Sequence, residues 1–91
     1  MASNFQIFSF KTKNSLHLKL SGNFDGSSAY QLINTLTEHG KGSCEIFIDT
    51  NDLKSIHPYG REVFQKRLGI LKNQFHGINF VGRNMHEISA G

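Results

Sequence analysis

A change of period constrains this chain more than any other feature. From Ser15 to Leu20 apolar and polar residues alternate, with Leu16, Leu18 and Leu20 on one face and His17 and Lys19 on the other. From Ala29 onward the spacing lengthens, and Ala29, Leu32, Ile33 and Leu36 fall on one helical stripe. Between Cys44 and Asp49 the run Ile46-Phe47-Ile48 meets polar residues at Asp49, which reads as a buried strand and its end. A strand, a helix and a second strand in that order make a crossover. Such a crossover pairs the two strands in parallel, and right-handed crossovers are nearly universal.

The flanks extend this unit. Phe5 to Phe10 reads as a strand with Phe5 and Ile7 on one face and Phe8 and Phe10 on the other. Apolar residues on both faces imply packing on both sides, or an edge that meets a partner. Lys11-Thr12-Lys13-Asn14 is a polar turn of hairpin length, so the first two strands are expected to pair antiparallel. Ser21 to Gly26 interrupts the alternation ahead of the first helix, which Asp25 or Ser27 caps. Gly40 and Gly42 end it. Burial of Leu32, Ile33 and Leu36 contributes about 1.5–3 kcal/mol each, before conformational entropy is charged.

After Asp49, a polar connection from Thr50 to Ser55 carries one apolar plug, Leu53, and Ile56 follows as a second. Pro58 suits the first position of a helix, because its missing N–H has no intrahelical partner there. The second helix is expected from about Gly60 to Phe75. Val63, Phe64, Leu68, Leu71 and Phe75 form its apolar stripe, and Arg61, Lys66, Arg67 and Lys72 its basic outer surface. Ile78 to Gly82 reads as a fourth, parallel strand, and Asn84 to Ile88 as one or two helical turns. The expected architecture is α/β, in the order ββαβαβα, with helices packed on a mixed four-stranded sheet. Repeats, linkers and low-complexity segments are absent, so residues 1–91 form one domain.

Two of these segments, in this order, resemble the STAS domain. Leu20-Ser-Gly-Asn-Phe-Asp-Gly-Ser-Ser-Ala29 is similar to that family's Gly-X-Leu-Asp approach to its first helix. The strand ending at Asp49, the apolar-anchored connection and the Ile56-X-X-X-Gly60 junction resemble its second βα unit. The family includes bacterial anti-sigma-factor antagonists and the cytoplasmic domains of sulphate transporters. Its usual junction reads Asp-Ser-Ser-Gly, and in the antagonists the first serine is phosphorylated. Here His57, Pro58, Tyr59 and Gly60 stand at those positions, so Gly60 carries over and the phosphoacceptor does not. No phosphorylation is expected at Pro58. STAS domains usually continue with another short strand and a closing helix; this chain stops at Gly91, so an uncovered sheet edge or face suited to association is expected.

Other chemistry has weaker support. Ser55, Thr50 and Tyr59 carry hydroxyls near the junction, but loop hydroxyls usually serve turns and caps. Asp25, Asp49 and Asp52 are expected near one another at the strand ends, but no nucleophile, lysine base or phosphate loop accompanies them. Helix capping and loop hydrogen bonds account for them better. His17, His39, His57, His76 and His86 show no i, i+4 pair, and Cys44 has no neighbouring cysteine, so zinc is not expected. Cys44 itself reads as a small buried strand residue, and as the sole cysteine it permits no intrachain disulfide.

The formal charge of +3 is mild, and aromatics do not interleave with the cations of the second helix, so nucleic acid is not an expected partner. The first residues lack the basic and apolar regions of a signal peptide, and no run approaches the roughly 20 apolar residues a membrane helix needs. A soluble cytoplasmic domain without membrane insertion is expected. The resemblance implies a bacterial, non-enzymatic signalling module, without a cofactor, acting in transcription regulation through protein contact. Its partner-binding residues are expected to be Asp25, Asp49, Asn51, Ser55, His57, Pro58, Tyr59, Gly60 and Arg61. The partner is an anti-sigma kinase or, for an accessory subunit, a transporter's ABC ATPase. A small-ligand or nucleotide-binding module and a homodimer through the uncovered edge are the remaining alternatives.

Overall fold

The computed structural model describes residues 4–40 and 42–82. Its elements are β1 (Phe5–Lys11), β2 (Ser15–Phe24), α1 (Gly26–His39), β3 (Gly42–Ile56), α2 (Pro58–Leu71), a 3-10 turn (Lys72–Gln74) and β4 (Phe75–Val81). The sheet is mixed and four-stranded, in the order β1-β2-β3-β4. The β1–β2 pair is antiparallel, and β2–β3 and β3–β4 are parallel. Both crossovers step the same way across the sheet. With right-handed connections, that places α1 and α2 on one face.

The core lies beneath those helices. Leu16, Leu18 and Leu20 of β2 and Ile46 and Ile48 of β3 meet Ala29, Leu32, Ile33 and Leu36 of α1 and Phe64 of α2. Phe5, Phe24, Phe64 and Phe80 make a chain of edge-to-face contacts through it, at centroid separations of 5.8, 6.0 and 6.0 Å. Tilted pairs at these distances suit the ring quadrupole better than sandwiches do.

Three expected boundaries move. β2 continues past Leu20 to Phe24, and β3 continues past Asp49 to Ile56, where a polar loop was expected. The two extensions pair with each other, with Gly22 opposite Leu53 and Phe24 opposite Ile56, across two register shifts. Both shifts place the extra residue in β3, which loses its period-2 signal while the ladder continues; β2 keeps its alternation, with Leu16, Leu18, Leu20, Gly22 and Phe24 all buried. Gly22 is required there: its φ is +98°, and a Cβ would lie 1.5 Å from the Asn4 carbonyl oxygen.

The third shift concerns α2. It begins at Pro58, as the proline's preference for the first helical position predicts, and ends at Leu71. Phe75, expected as the last residue of its stripe, instead opens β4 and is buried there. Residues four apart on a helix share a face, and Phe75 keeps that spacing from Leu71; the 3-10 turn delivers it to the same core by another route. The helical turns expected from Asn84 to Ile88, the side chains of Cys44, Lys72 and His76, and all of His86 lie outside the described residues.

Candidate docking site

The N-termini of α1 and α2 meet beside the ends of β2 and β3. Asp25 caps α1: its Oδ1 accepts from the Ser28 amide at 2.9 Å and lies 2.9 Å from the Ser28 hydroxyl. Hydrogen bonds from the Ser28 amide and then its hydroxyl stabilise the carboxylate and hold Asp25 below its ordinary pKa. Of the two capping residues the sequence offered, Asp25 takes the role. Ser28 is fully buried, and its hydroxyl also lies 2.9 Å from the Asn23 carbonyl, so the α1 terminus is tied to the end of β2.

The α2 terminus is built on His57. Its backbone amide donates to the Phe24 carbonyl at 2.8 Å, its carbonyl accepts from the Arg61 amide at 3.0 Å, and its Nδ1 accepts from the Tyr59 amide at 3.1 Å. The imidazole thus takes the place that a serine or aspartate occupies at many helix starts. Gly60 explains the tightness of the junction. A Cβ there would lie 2.5 Å from the Asp25 carbonyl carbon and 2.8 Å from its Cα, so the two termini touch backbone to backbone. Ser55 completes the seam by donating to Asn23 Oδ1 at 2.8 Å.

Asp25, Ser55, His57, Pro58, Tyr59, Gly60 and Arg61 therefore gather at one end of the molecule. Asp49 and Asn51 do not join them. The Asn51 amide donates to Asp49 Oδ1 at 2.9 Å, and Asp49 faces away from the helices on the far side of the sheet, beside Val81. Seven residue steps of β3 separate Asp49 from Ile56, at most about 23 Å at about 3.3 Å per residue. The three carboxylates expected together are likewise dispersed. Asp25 caps α1, Asp49 binds the Asn51 amide, and Asp52 pairs with Lys19 at 3.2 Å. Among the described residues no group of three or more His, Cys, Asp or Glu side chains is placed to hold a metal. Among them, too, no helix is long and apolar enough to cross a membrane.

The structure adds Tyr30, which sequence reasoning missed, and gives Arg67 of the basic α2 surface a partner in it. The Tyr59 ring covers Gly26, where a Cβ would sit 2.8 Å from ring carbon Cε2. Tyr30 lies one turn further along the same face of α1 and remains 45% exposed, against 58% for Tyr59. Arg67 of α2 places its guanidinium 5.2 Å from the Tyr30 ring centroid, a cation–π distance. Tyr59, Tyr30 and Arg67 form a strip along the α1–α2 seam, and Ile70, 75% exposed, lies one turn further along α2 on the same side as Arg67. The signal available in the sequence was slight: Tyr30 falls four residues after Gly26, on the polar side of α1.

The sequence matches no family model, and no curated protein matches it. Solved structures do share its fold. Mglu superimposes with a TM-score of 0.73 at 16% identity over 84% of this chain, which spans 19% of the length of Mglu. An uncharacterised protein of the DUF3478 family from Shewanella loihica, described as having a SpoIIAA-like fold, superimposes with a TM-score of 0.61 at 17% identity. That match covers 91% of this chain and 73% of the other. Likeness at these identities shows the fold, which is SpoIIAA-like and so STAS-like, and it shows nothing of the activity.

Proposed function

We propose that this chain is a non-enzymatic docking module that binds a protein partner through the N-terminus of α2 and the α1–α2 seam, in the manner of an anti-sigma-factor antagonist without a serine phosphoswitch. The observation that carries the reading is the exposed strip of Tyr59, Tyr30 and Arg67. Tyrosine and arginine are among the side chains that most often dominate binding energy at protein interfaces, and tyrosine buries a large area at little cost in rotamer freedom. Here each is already held, Tyr59 against Gly26 and Arg67 against Tyr30, which lowers the entropy still to be lost on association.

Where the STAS junction has its phosphoacceptor, this chain has Pro58, which begins α2 and has no hydroxyl. Docking would then be constitutive, not switched by the repulsion and desolvation that a phosphate introduces at an interface. An anti-sigma-type serine kinase is the partner class this surface is assigned.

The test is affinity capture from a native lysate with the wild-type domain and with Tyr59→Ala and Arg67→Ala. The expected outcome is a serine kinase of that type retained by the wild type, with each variant weakening its binding by about tenfold, the loss of one interface anchor of about 1.4 kcal/mol. The purified kinase should transfer no phosphate to the domain. Capture that is indifferent to both variants would overturn the assignment of this surface, and recovery of an ABC ATPase would change the partner class.

A further inference from the structure

The face of the sheet opposite the helices has no covering element among the described residues, yet it is not polar. Two rows of side chains cross it. One runs Phe10, His17, Phe47, Asn79 and the other Phe8, Lys19, Asp49, Val81, each set by the strand register. Phe8, Phe10 and Val81 are 56%, 66% and 40% exposed. His17 stacks on Phe47 at 5.0 Å with an interplanar angle of 12°, and Phe10 lies 6.1 Å from His17. Between the rows runs a groove of about 300 Å³. A solvated sheet face would alternate to polar residues at these positions, and folding alone gains nothing from three exposed apolar side chains.

We propose that a second copy of this chain packs on this face, about a two-fold axis that runs along the strands between β2 and β3. Charge complementarity selects both the occupant and the axis. Rotation about that axis lays each row over its own reverse. Lys19 then meets Asp49 of the partner copy and Asp49 meets its Lys19, while Phe8 covers Val81 and His17 covers Phe47. A two-fold across the strands would instead set Lys19 against His17 and bury Asp49 against Phe47, leaving a carboxylate without an opposite charge across the contact, which is costly. Two sheets meeting through apolar inner faces about 10 Å apart make a β-sandwich, here shared between copies. The pair Lys19–Asp52 within one copy, with both side chains about half exposed, is worth too little to hold Lys19 from this contact.

The area sets the strength. β1 has 7 residues, and four strands flank one another. At about 3.3 Å per residue and about 4.8 Å between strands, the face measures about 440 Å². A standard interface buries about 800 Å² on each partner, so this dimer is weak and forms with rising concentration. The inference uses the side of the molecule away from Tyr59 and does not rest on the docking reading.

Sedimentation equilibrium from about 5 μM to about 1 mM, the range in which such affinities are read, tests it. The expected mass rises from 10.2 kDa toward twice that value. Phe8→Ser with Phe10→Ser raises the dissociation constant by about tenfold or more, with Tyr59→Ala as the unaffected control. Lys19→Asp and Asp49→Lys each abolish self-association, and an equimolar mixture of the two restores dimers, because each new pair then joins opposite charges. These charge variants keep the test valid should the double serine variant fail to fold. A monomer throughout the range overturns the proposal. So does a dimer that survives the charge reversals, which would place the contact away from this face, and so does a mixture that stays monomeric.

Discussion

The two faces of this sheet are made by the same strands and obey opposite rules. Toward the helices, Leu16, Leu18, Leu20, Ile46 and Ile48 are buried to 1% exposure or less. Away from them, the intervening positions carry Phe8, Phe10, His17, Phe47 and Val81 around an open groove. The helix side is as apolar as folding requires. The open side is more apolar than folding requires, and that excess points to association.

The sharpest way to break the comparison is to remove one phenylalanine from each side. Phe64 is fully buried between Phe24 and Phe80, and Phe64→Ala should cost about 3–5 kcal/mol in urea unfolding, through lost transfer energy and the cavity left behind. Phe10→Ala, at 66% exposure, should stay within about 0.5 kcal/mol at concentrations that keep the chain monomeric. Equal costs would mean that the open face belongs to the core.

A smaller contrast comes from two glycines. Gly60→Ala should destabilise by about 1–3 kcal/mol, because its Cβ would meet the Asp25 backbone, which cannot turn aside. Gly77→Ala, on the open side, meets the Glu45 carboxylate at 3.3 Å, the movable end of a side chain, and should change the unfolding midpoint little. The smallest effect concerns pH. Asp25 has a folded pKa below its ordinary value of 3.8, so its capping bond stabilises the protein above that value and the stabilisation is lost as pH falls through the folded pKa. The melting temperature of the wild type should exceed that of Asp25→Ala by the equivalent of about 1 kcal/mol near neutrality. The gap should narrow below about pH 4.

Much of the helix side was legible because its elements keep an unbroken period. Ala29, Leu32, Ile33 and Leu36 announced α1, and Leu16, Leu18 and Leu20 announced β2. The second half of β2 was hidden because Ser21-Gly22-Asn23 are poor strand formers, and that of β3 because Asn51-Asp52 are too and the bulges there break the alternation. Reading that stretch as a loop drew Asp49 and Asn51 into the candidate site, whereas extended backbone holds both well short of the α2 terminus and turns Asp49 to the far side of the sheet. At the site itself, Gly60 and His57 were visible as a junction. The contact of Arg67 with Tyr30 was not, because it joins two helices whose relative placement no local pattern encodes. The apolar residues on both sides of β1 implied packing on both sides or an edge that meets a partner; within one copy Phe8 and Phe10 stay exposed, in cross-strand rows that Phe47 and Val81 complete and that β1 alone did not reveal.

Strand order here follows chain order. Each strand therefore adds to the outer side of the one made just before it, and none has to be inserted between two strands already joined. Such a sheet can be laid down in the direction of synthesis. The β1–β2 hairpin is available as a template when β3 leaves the ribosome, and β3 when β4 does. Contacts between successive elements need short loop closures, which favours rapid folding and limits the time that the leucine- and isoleucine-lined side of a half-built sheet spends without its helices.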